Sequence, residues 1–282
     1  MQILTTSGWA DYELVDSGEG YRLERFGKYI IAKPDPQAVW KRTLTQDIWK
    51  SADAIFQNNH WEKQPEFPDK WVMKYKEILF FAKLTPFKHT GIFPEQHIQW
   101  DYLEEKIKKS DRPVKVLNLF GYTGIAGLIA ASSGAQVTHV DASRPAISWA
   151  RENQNLAQLS DKSIRWILDD AIKFVQREVR RGNRYDGIIM DPPIYGHGPT
   201  GELWDFPKSF PELVKLCSQV LSDKPSFVIV NAYAISSSAL MLENVLRDYL
   251  PAGELEIGEL ALEEKNKKRL LSTGIFARWS AE

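Results

Sequence analysis

Residues 114–141 constrain the fold more than any other stretch of the chain. A short apolar run, Val114–Leu119, leads into Phe120-Gly121-Tyr122-Thr123-Gly124, where two glycines sit in a turn before the apolar helical segment Gly124–Ser132. A second apolar run, Gln136–Val140, follows and ends on an acid, Asp141. Two strands bridged by a helix must lie parallel, with a right-handed crossover. Residues 114–141 therefore predict a βαβ unit at the heart of an open α/β sheet, and such sheets hold their ligands beyond the carboxyl ends of the strands.

The same alternation continues to the C-terminus. Strands are expected at Ile164–Leu168, Gly187–Met190 and Ser226–Val230, with helices at Pro145–Leu159, Ala171–Arg181, Lys208–Leu221 and Ser237–Leu250. Before them, Glu95 to Lys109 carries Trp100, Leu103 and Ile107 at the spacing of one helical face and stops near Asp111-Arg112-Pro113. Two last apolar runs, Glu256–Glu263 and Leu270–Trp279, are joined by six residues from Glu264 to Arg269, too few for a helix. They are expected to be antiparallel, so one edge of the sheet reverses.

The first eighty residues are different. Short runs such as Tyr21–Phe26, Tyr29–Ala32 and Val72–Tyr75 are separated by Gly and Pro, the pattern of strands joined by turns. A small β-rich domain over residues 1–82 and an α/β domain over 83–282 are the expected division. Six of the ten tryptophans (Trp9, Trp40, Trp49, Trp61, Trp71 and Trp100) lie in the first hundred residues. They could stack on bases, but a small domain with little interior more often uses large rings to fill its core.

Charge limits the partners. The formal net charge is −1, and residues 1–100 carry 13 Lys and Arg against 13 Asp and Glu, so no broad basic face is available to grip nucleic acid. Any such contact must be local. A single cysteine excludes an internal disulfide and a zinc site, and His60, His89, His97, His139 and His197 lack metal-ligand spacing, so no metal is expected. Without a membrane-length apolar run or a signal-peptide pattern, a soluble cytoplasmic chain is expected.

Three clusters carry chemistry. In Gly121-Tyr122-Thr123-Gly124-Ile125-Ala126-Gly127 the glycines remove Cβ atoms where backbone approaches a ligand, and the helix start offers free N–H groups. A NAD-binding fold competes, because Asp141 falls about twenty residues on, where a ribose-binding acid would stand. The spacing is G-x-x-G-x-x-G rather than G-x-G-x-x-G, which suits a nucleoside without pyrophosphate such as S-adenosylmethionine. Asp141 would then accept hydrogen bonds from both ribose hydroxyls. Of Asp169 and Asp170, one can cap the next helix while the other accepts from an adenine amino group, and Asp170 is the expected binder. Asp191-Pro192-Pro193-Ile194-Tyr195 closes the strand Gly187–Met190, and its prolines aim the carbonyls of Asp191 and Pro192 at the cleft. These acceptors, with the Asp191 carboxylate, can hold an amino group in line with an electrophilic methyl. Tyr195 or Phe206 could stack on a planar acceptor. Gly196, Gly198 and Gly201 suggest a mobile substrate loop around His197, itself expected to be a loop residue.

Several segments together resemble one family. His89-Thr90-Gly91-Ile92-Phe93-Pro94-Glu95-Gln96, Asn118-Leu119-Phe120-Gly121-Tyr122-Thr123-Gly124, Asp141-Ala142-Ser143, Asp170 and Asp191-Pro192-Pro193 run in the order of the class I methyltransferases related to the bacterial large-subunit ribosomal RNA methyltransferases. The likeness covers roughly residues 86–280. It implies a Rossmann-like seven-stranded sheet with the last strand antiparallel, S-adenosylmethionine as donor with S-adenosylhomocysteine as product, and RNA nucleotides as acceptors. It also implies a cofactor-binding set of Phe93, Gln96, Asn118, Phe120, Gly121, Tyr122, Thr123, Gly124, Asp141, Ala142, Ser143, Asp170, Ala171 and Asp191, with Asp191, Pro192, Pro193 and Tyr195 at the reaction point. Residues 1–82 do not match the RNA-binding domains common in that family. The expectation is therefore methylation of a nitrogen or oxygen of ribosomal RNA, with a small molecule or a protein side chain as the second candidate acceptor and a non-catalytic nucleotide- or RNA-binding module as the third reading. Methylation at cytosine or uracil C5 is excluded, because it needs a cysteine thiolate facing the base. The end of the fifth strand, Val230-Asn231-Ala232-Tyr233-Ala234, has none, and Cys217 shares an apolar helical face with Leu213, Leu216, Val220 and Leu221.

Overall fold

The structure is a computed structural model that describes residues 1–233 and 237–281. It begins with β1 (Gln2–Thr6), β2 (Tyr12–Gly18), β3 (Tyr21–Phe26), β4 (Tyr29–Pro34), α1 (Gln46–Lys50), β5 (Ala54–Gln57), β6 (His60–Lys63), β7 (Trp71–Tyr75) and β8 (Ile78–Ala82). A 3₁₀ turn, Pro94–Gln96, leads into α2 (His97–Lys108), β9 (Lys115–Leu119), α3 (Ile125–Ser132), β10 (Gln136–Asp141), α4 (Arg144–Leu156), β11 (Ile164–Leu168), α5 (Ala171–Arg181) and β12 (Gly187–Met190). The chain closes with β13 (Tyr195–His197), β14 (Leu203–Asp205), α6 (Phe206–Val220), β15 (Phe227–Tyr233), α7 (Ala239–Tyr249), β16 (Glu254–Glu263) and β17 (Leu270–Ser280). No helix among the described residues is long and apolar enough to cross a membrane.

Two compact units emerge. One comprises Met1–Leu4, Ile98–Leu260 and Gly274–Glu282, the other Thr5–His97 and Ala261–Thr273. The boundary expected at residue 82 thus falls inside a unit that continues to His97 and recruits the tip of the last hairpin. That tip is held chemically. Asp16, 1 % exposed, accepts from the backbone of Thr43 and Leu44 and from Trp49 Nε1, and it pairs with Arg269 at 3.4 Å. Arg269 also pairs with Glu264 at 2.7 Å, and the Lys265 N–H donates to the Leu14 carbonyl.

In the first unit the sheet order is β1-β16-β17-β15-β12-β9-β10-β11. β11, β10, β9, β12 and β15 pair in parallel, and β17 runs antiparallel to β15. These seven strands and their reversed last member are the expected sheet, and β1 adds an eighth at the edge. Helix limits follow ordinary capping chemistry. Ser143 and Asp170 cap α4 and α5 through their side chains, and Gly182 ends α5 in the left-handed region at φ 70°.

The Thr5–His97 unit is built on β2-β3-β4-β5-β6 and the β7-β8 hairpin. Its core is aromatic. Trp9 packs on Tyr12 and Tyr75 with ring centroids 5.6 and 5.4 Å apart, and Phe67 packs on Trp71. Trp9, Trp49 and Trp71 are buried, which matches filling of the interior rather than exposed stacking surfaces. Within this core lies a charge cluster. Glu24 is fully buried, accepts from the Tyr12 hydroxyl at 2.8 Å, and pairs with Lys33 at 2.8 Å and Arg22 at 3.2 Å.

Burial alone would raise the Glu24 carboxyl, but Arg22 and Lys33 overcome it and hold the group below the usual glutamate range. A carboxyl depressed in the folded state stabilises fully above its unfolded value and loses that contribution as the pH falls through the folded one. Glu24→Gln strands two buried cations and should cost roughly 3–5 kcal/mol in urea unfolding at neutral pH. The wild type should lose this margin below about pH 4.3, and the variant should not. Equal unfolding midpoints for the two proteins at pH 7 would remove the cluster from the stability of this unit.

Candidate functional site

The register of the parallel ladder sets the site. Leu119 of β9 is the partner of Val140 in β10 and of Met190 in β12, and Met190 is the partner of Val230 in β15. Asp141, Phe120, Asp191 and Asn231 therefore stand one residue past a common line, on adjacent strands about 4.8 Å apart. β9 lies where the strand order reverses, with β10 and β11 on one side and β12 and β15 on the other. The crevice at such a switch point is where open α/β sheets bind ligands.

The turn after β9 is held in an uncommon conformation. Phe120, Tyr122 and Gly124 all have positive φ, at 54°, 50° and 85°. A non-glycine residue in this region is uncommon, so two of them close together need support. Asp141 supplies it, with Oδ2 accepting from the Tyr122 N–H and Oδ1 from the Ser143 N–H, both at 2.8 Å. Buried Asn153 donates to the Thr123 carbonyl at 2.9 Å. Beneath the turn, a Cβ at Gly121 would lie within 2.5 Å of His139 Nδ1 and 2.7 Å of Asn118 Nδ2, and one at Gly124 would lie 2.9 Å from the Ala150 Cβ. These glycines are thus required from below, by packing on β9, β10 and α4.

Burial raises the Asp141 carboxyl, and the two backbone donors work against that rise. Burial, with the Asp141 charge, pushes the Tyr122 phenol up to about 12. His139 is fully buried and pushed down to about 3, so it packs under the turn as a neutral ring, edge-on to Trp166 at 4.6 Å. From the sequence, His139 was considered only as a metal ligand, and Asn153 was not singled out. The available signal was period two, since His139 shares a strand face with Asp141.

The neighbouring acids divide their work. Asp170 caps α5, accepting from the Lys173 N–H at 2.9 Å through Oδ1, while Asp169 pairs with Arg177. The cap is therefore the acid expected to bind, and its Oδ2 still has acceptor capacity toward a ligand. Ala171, which follows it, is buried at the start of the helix. Ala142 and Ser143 link Asp141 to α4, where Ser143 is the N-cap.

Beyond β12, Asp191 is half-buried, Pro192 is buried and Pro193 is exposed, and the Pro193 carbonyl accepts from Trp204 Nε1 at 2.6 Å. The expected mobile loop is a hairpin. β13 and β14 pair antiparallel, with Tyr195 opposite Asp205 and His197 opposite Leu203. Tyr195 is 59 % exposed and can meet a planar partner. Phe206 cannot, because it is 2 % exposed and stacked on Phe210 at 4.8 Å. Cys217 is fully buried among apolar side chains of α6, which pushes its thiol well up. Phe93 and Gln96 lie at the 3₁₀ turn, in the other compact unit. Ala234, at the end of the fifth-strand segment, lies outside the described residues.

The donor set fits a nucleoside bearing vicinal hydroxyls. A carboxylate has about four lone-pair sites; Asp141 uses two on the backbone and keeps two for hydroxyl donors, and Asp170 has an oxygen for an amino group. Among the described residues, no group of three or more His, Cys, Asp or Glu could hold a metal.

The family model described as Conserved hypothetical protein 95 matches residues 100–202. Among solved structures, the chain is similar over its whole length to an S-adenosylmethionine-dependent methyltransferase from Agrobacterium tumefaciens, at 41 % identity and TM-score 0.97, covering 94 % of that chain. A methyltransferase from Streptococcus mutans shares the fold at 17 % identity and TM-score 0.73, over 97 % of this chain and 76 % of that one. Curated relatives are named ribosomal RNA large subunit methyltransferase K/L. The one from Shewanella sp. (strain ANA-3) is 27 % identical over 72 % of this chain and 31 % of its own length. That from Shewanella loihica is 28 % identical over 79 % and 34 %. The chain thus spans about a third of the length of these curated relatives. An identity of 41 % sustained along nearly all of a known methyltransferase, on a sheet with the reversed last strand, makes this chain a member of the class I S-adenosylmethionine-dependent methyltransferases.

Proposed function

We propose that this protein transfers a methyl group from S-adenosylmethionine to a nitrogen or oxygen of a nucleotide in ribosomal RNA. The observation that carries the RNA acceptor is the similarity to ribosomal RNA large subunit methyltransferases over 72–79 % of the chain. Burial of the lone cysteine supports a nitrogen or oxygen, since a C5 carbon is not nucleophilic until a thiolate has added to the ring.

S-adenosylmethionine, when bound, supplies an electrophilic methyl group on a sulfonium. The residues of this chain bind and align. Asp141 accepts from the ribose hydroxyls, Asp170 with Ala171 meets the adenine, and the turn from Phe120 to Gly124, buttressed by Asn118, takes the methionine part. The Asp191 carboxylate and the carbonyls of Asp191 and Pro192 orient the acceptor, with Tyr195 available to stack on it. Alignment of the acceptor lone pair is the main catalytic device here.

The deciding experiment is mass-spectrometric mapping of modified nucleosides in total RNA from cells with and without the protein. Loss of one methylated nucleotide from large-subunit RNA is expected, and an unchanged modification map would overturn the reading.

Residue roles are tested separately. Asp141→Ala should lower S-adenosylhomocysteine affinity about ten- to a hundredfold by calorimetry, the equivalent of roughly 1.5–3 kcal/mol for hydrogen bonds to a charged acceptor. Asp191→Ala should leave that affinity within a few fold and abolish methyl transfer, so wild-type turnover would exclude Asp191 from acceptor alignment. Cys217→Ala should retain activity; a covalent RNA adduct at Cys217, or 5-methylcytosine as product, would contradict direct attack by a nitrogen or oxygen.

A further inference from the structure

At the opposite end of the same sheet is a polar cavity. Lys115 opens β9, Gln136 opens β10, Ser163 precedes β11 and Tyr185 precedes β12, and these strand starts enclose about 160 Å³. Lys115, Arg165 and Arg184 converge on it, and no carboxylate lines it. The nearest acids are already engaged. Glu178 accepts from Arg181, Asn183 and the Tyr185 hydroxyl at 2.7–2.9 Å, and Asp186 accepts from Arg112, Ser222 and the Lys115 N–H at 2.7–2.8 Å. Among the described residues, none of the three converging cations forms an ion pair, and all three are exposed. The Arg165 charge reaches Glu178 without a direct contact, and in a chain of net charge −1 the three cations make a local concentration of positive charge.

We infer that this cavity holds a backbone phosphate of the RNA acceptor, a docking contact remote from the methyl-transfer site. The inference rests on the RNA reading above. Guanidinium forks match phosphate oxygens bidentately, and the exposed Ser163 adds a hydroxyl group. A protein partner is disfavoured because interfaces need an apolar centre, and Val137 and Tyr185, the apolar members of the lining, are buried. Strands of four to six residues at about 3.3 Å each put the cavity roughly 15–20 Å from Asp141 and Asp191. A phosphate held there fixes the register of the RNA without touching the cofactor residues, which is how backbone contacts contribute to recognition.

The test combines Lys115→Gln, Arg165→Gln and Arg184→Gln, with Lys106→Gln, Lys108→Gln and Lys109→Gln at the end of α2 as a charge-matched control. Binding of large-subunit ribosomal RNA fragments is measured across a salt series, alongside calorimetry with S-adenosylhomocysteine. The cavity variant should lose about 2–3 units from the slope of log affinity against log salt, keep wild-type affinity for S-adenosylhomocysteine, and raise the RNA KM with little change in kcat. The control should keep its slope. Wild-type slope and affinity in the cavity variant, or an equal loss in the control, overturns the inference and leaves the methyltransferase reading standing. A wild-type protein that neither binds nor methylates ribosomal RNA fails the proposed function first, and this inference with it. Inorganic pyrophosphate bound by the wild type but not by the cavity variant, with RNA binding equal in both, assigns the cavity to a free phosphate compound and overturns the RNA assignment.

Discussion

One carboxylate ties the site together. Asp141 ends β10, yet both of its oxygens accept backbone N–H groups, one from the turn after the neighbouring strand and one from the segment entering α4. The turn needs that anchor, because Phe120 and Tyr122 both have positive φ. A sub-ångström change at Asp141 would therefore move the turn, and with it whatever the turn holds. The same geometry explains why the acid is half-buried with no ion pair among the described residues: its charge is met by oriented amides, which stabilise an anion at fixed distance and leave lone pairs open to a ligand.

Beneath this anchor the packing leaves little slack. His139, Asn118, Ala150 and Trp166 fill the space under the two turn glycines so closely that a single added methyl at Gly121 would overlap ring and amide atoms. A neutral histidine is suited to that position, because burial opposes its protonation at any physiological pH. The Thr5–His97 unit solves a different problem. It is small, so large aromatic rings fill much of its interior, and it keeps Glu24, Lys33 and Arg22 inside by pairing them with one another. Its reach into residues 261–273 depends on Arg269, which holds Asp16 and Glu264 together.

Much of the α/β unit was legible in advance. The limits of β11, α5 and β12 match the expected ones, because each is a run of a single hydrophobic period bounded by a cap, a glycine or a proline. The likeness to methyltransferases rested on short motifs at strand ends, where chemistry and topology coincide. Other features were not legible. Gly196, Gly198 and Gly201 suggested a loose loop, whereas cross-strand pairing of Tyr195–His197 with Leu203–Asp205 orders it as a hairpin. Phe206 looked like a stacking platform, whereas Phe210, one helical turn on, takes up its face.

Local pattern, then, determined most helices and strands of the α/β unit, the parallel direction of β9, β10, β11, β12 and β15, the reversal of the last strand, and the strand-end acids that mark a nucleoside site. These follow from periodicity and crossover geometry, which act within one strand–helix–strand unit. Tertiary structure alone decided why Gly121 tolerates no side chain, that the edge of the sheet takes β1 as an eighth strand, and that Lys115, Arg165 and Arg184 meet around one cavity. Each of these depends on atoms brought together from segments about twenty to two hundred and fifty residues apart, and such contacts are set by strand register and packing rather than by the local order of residues.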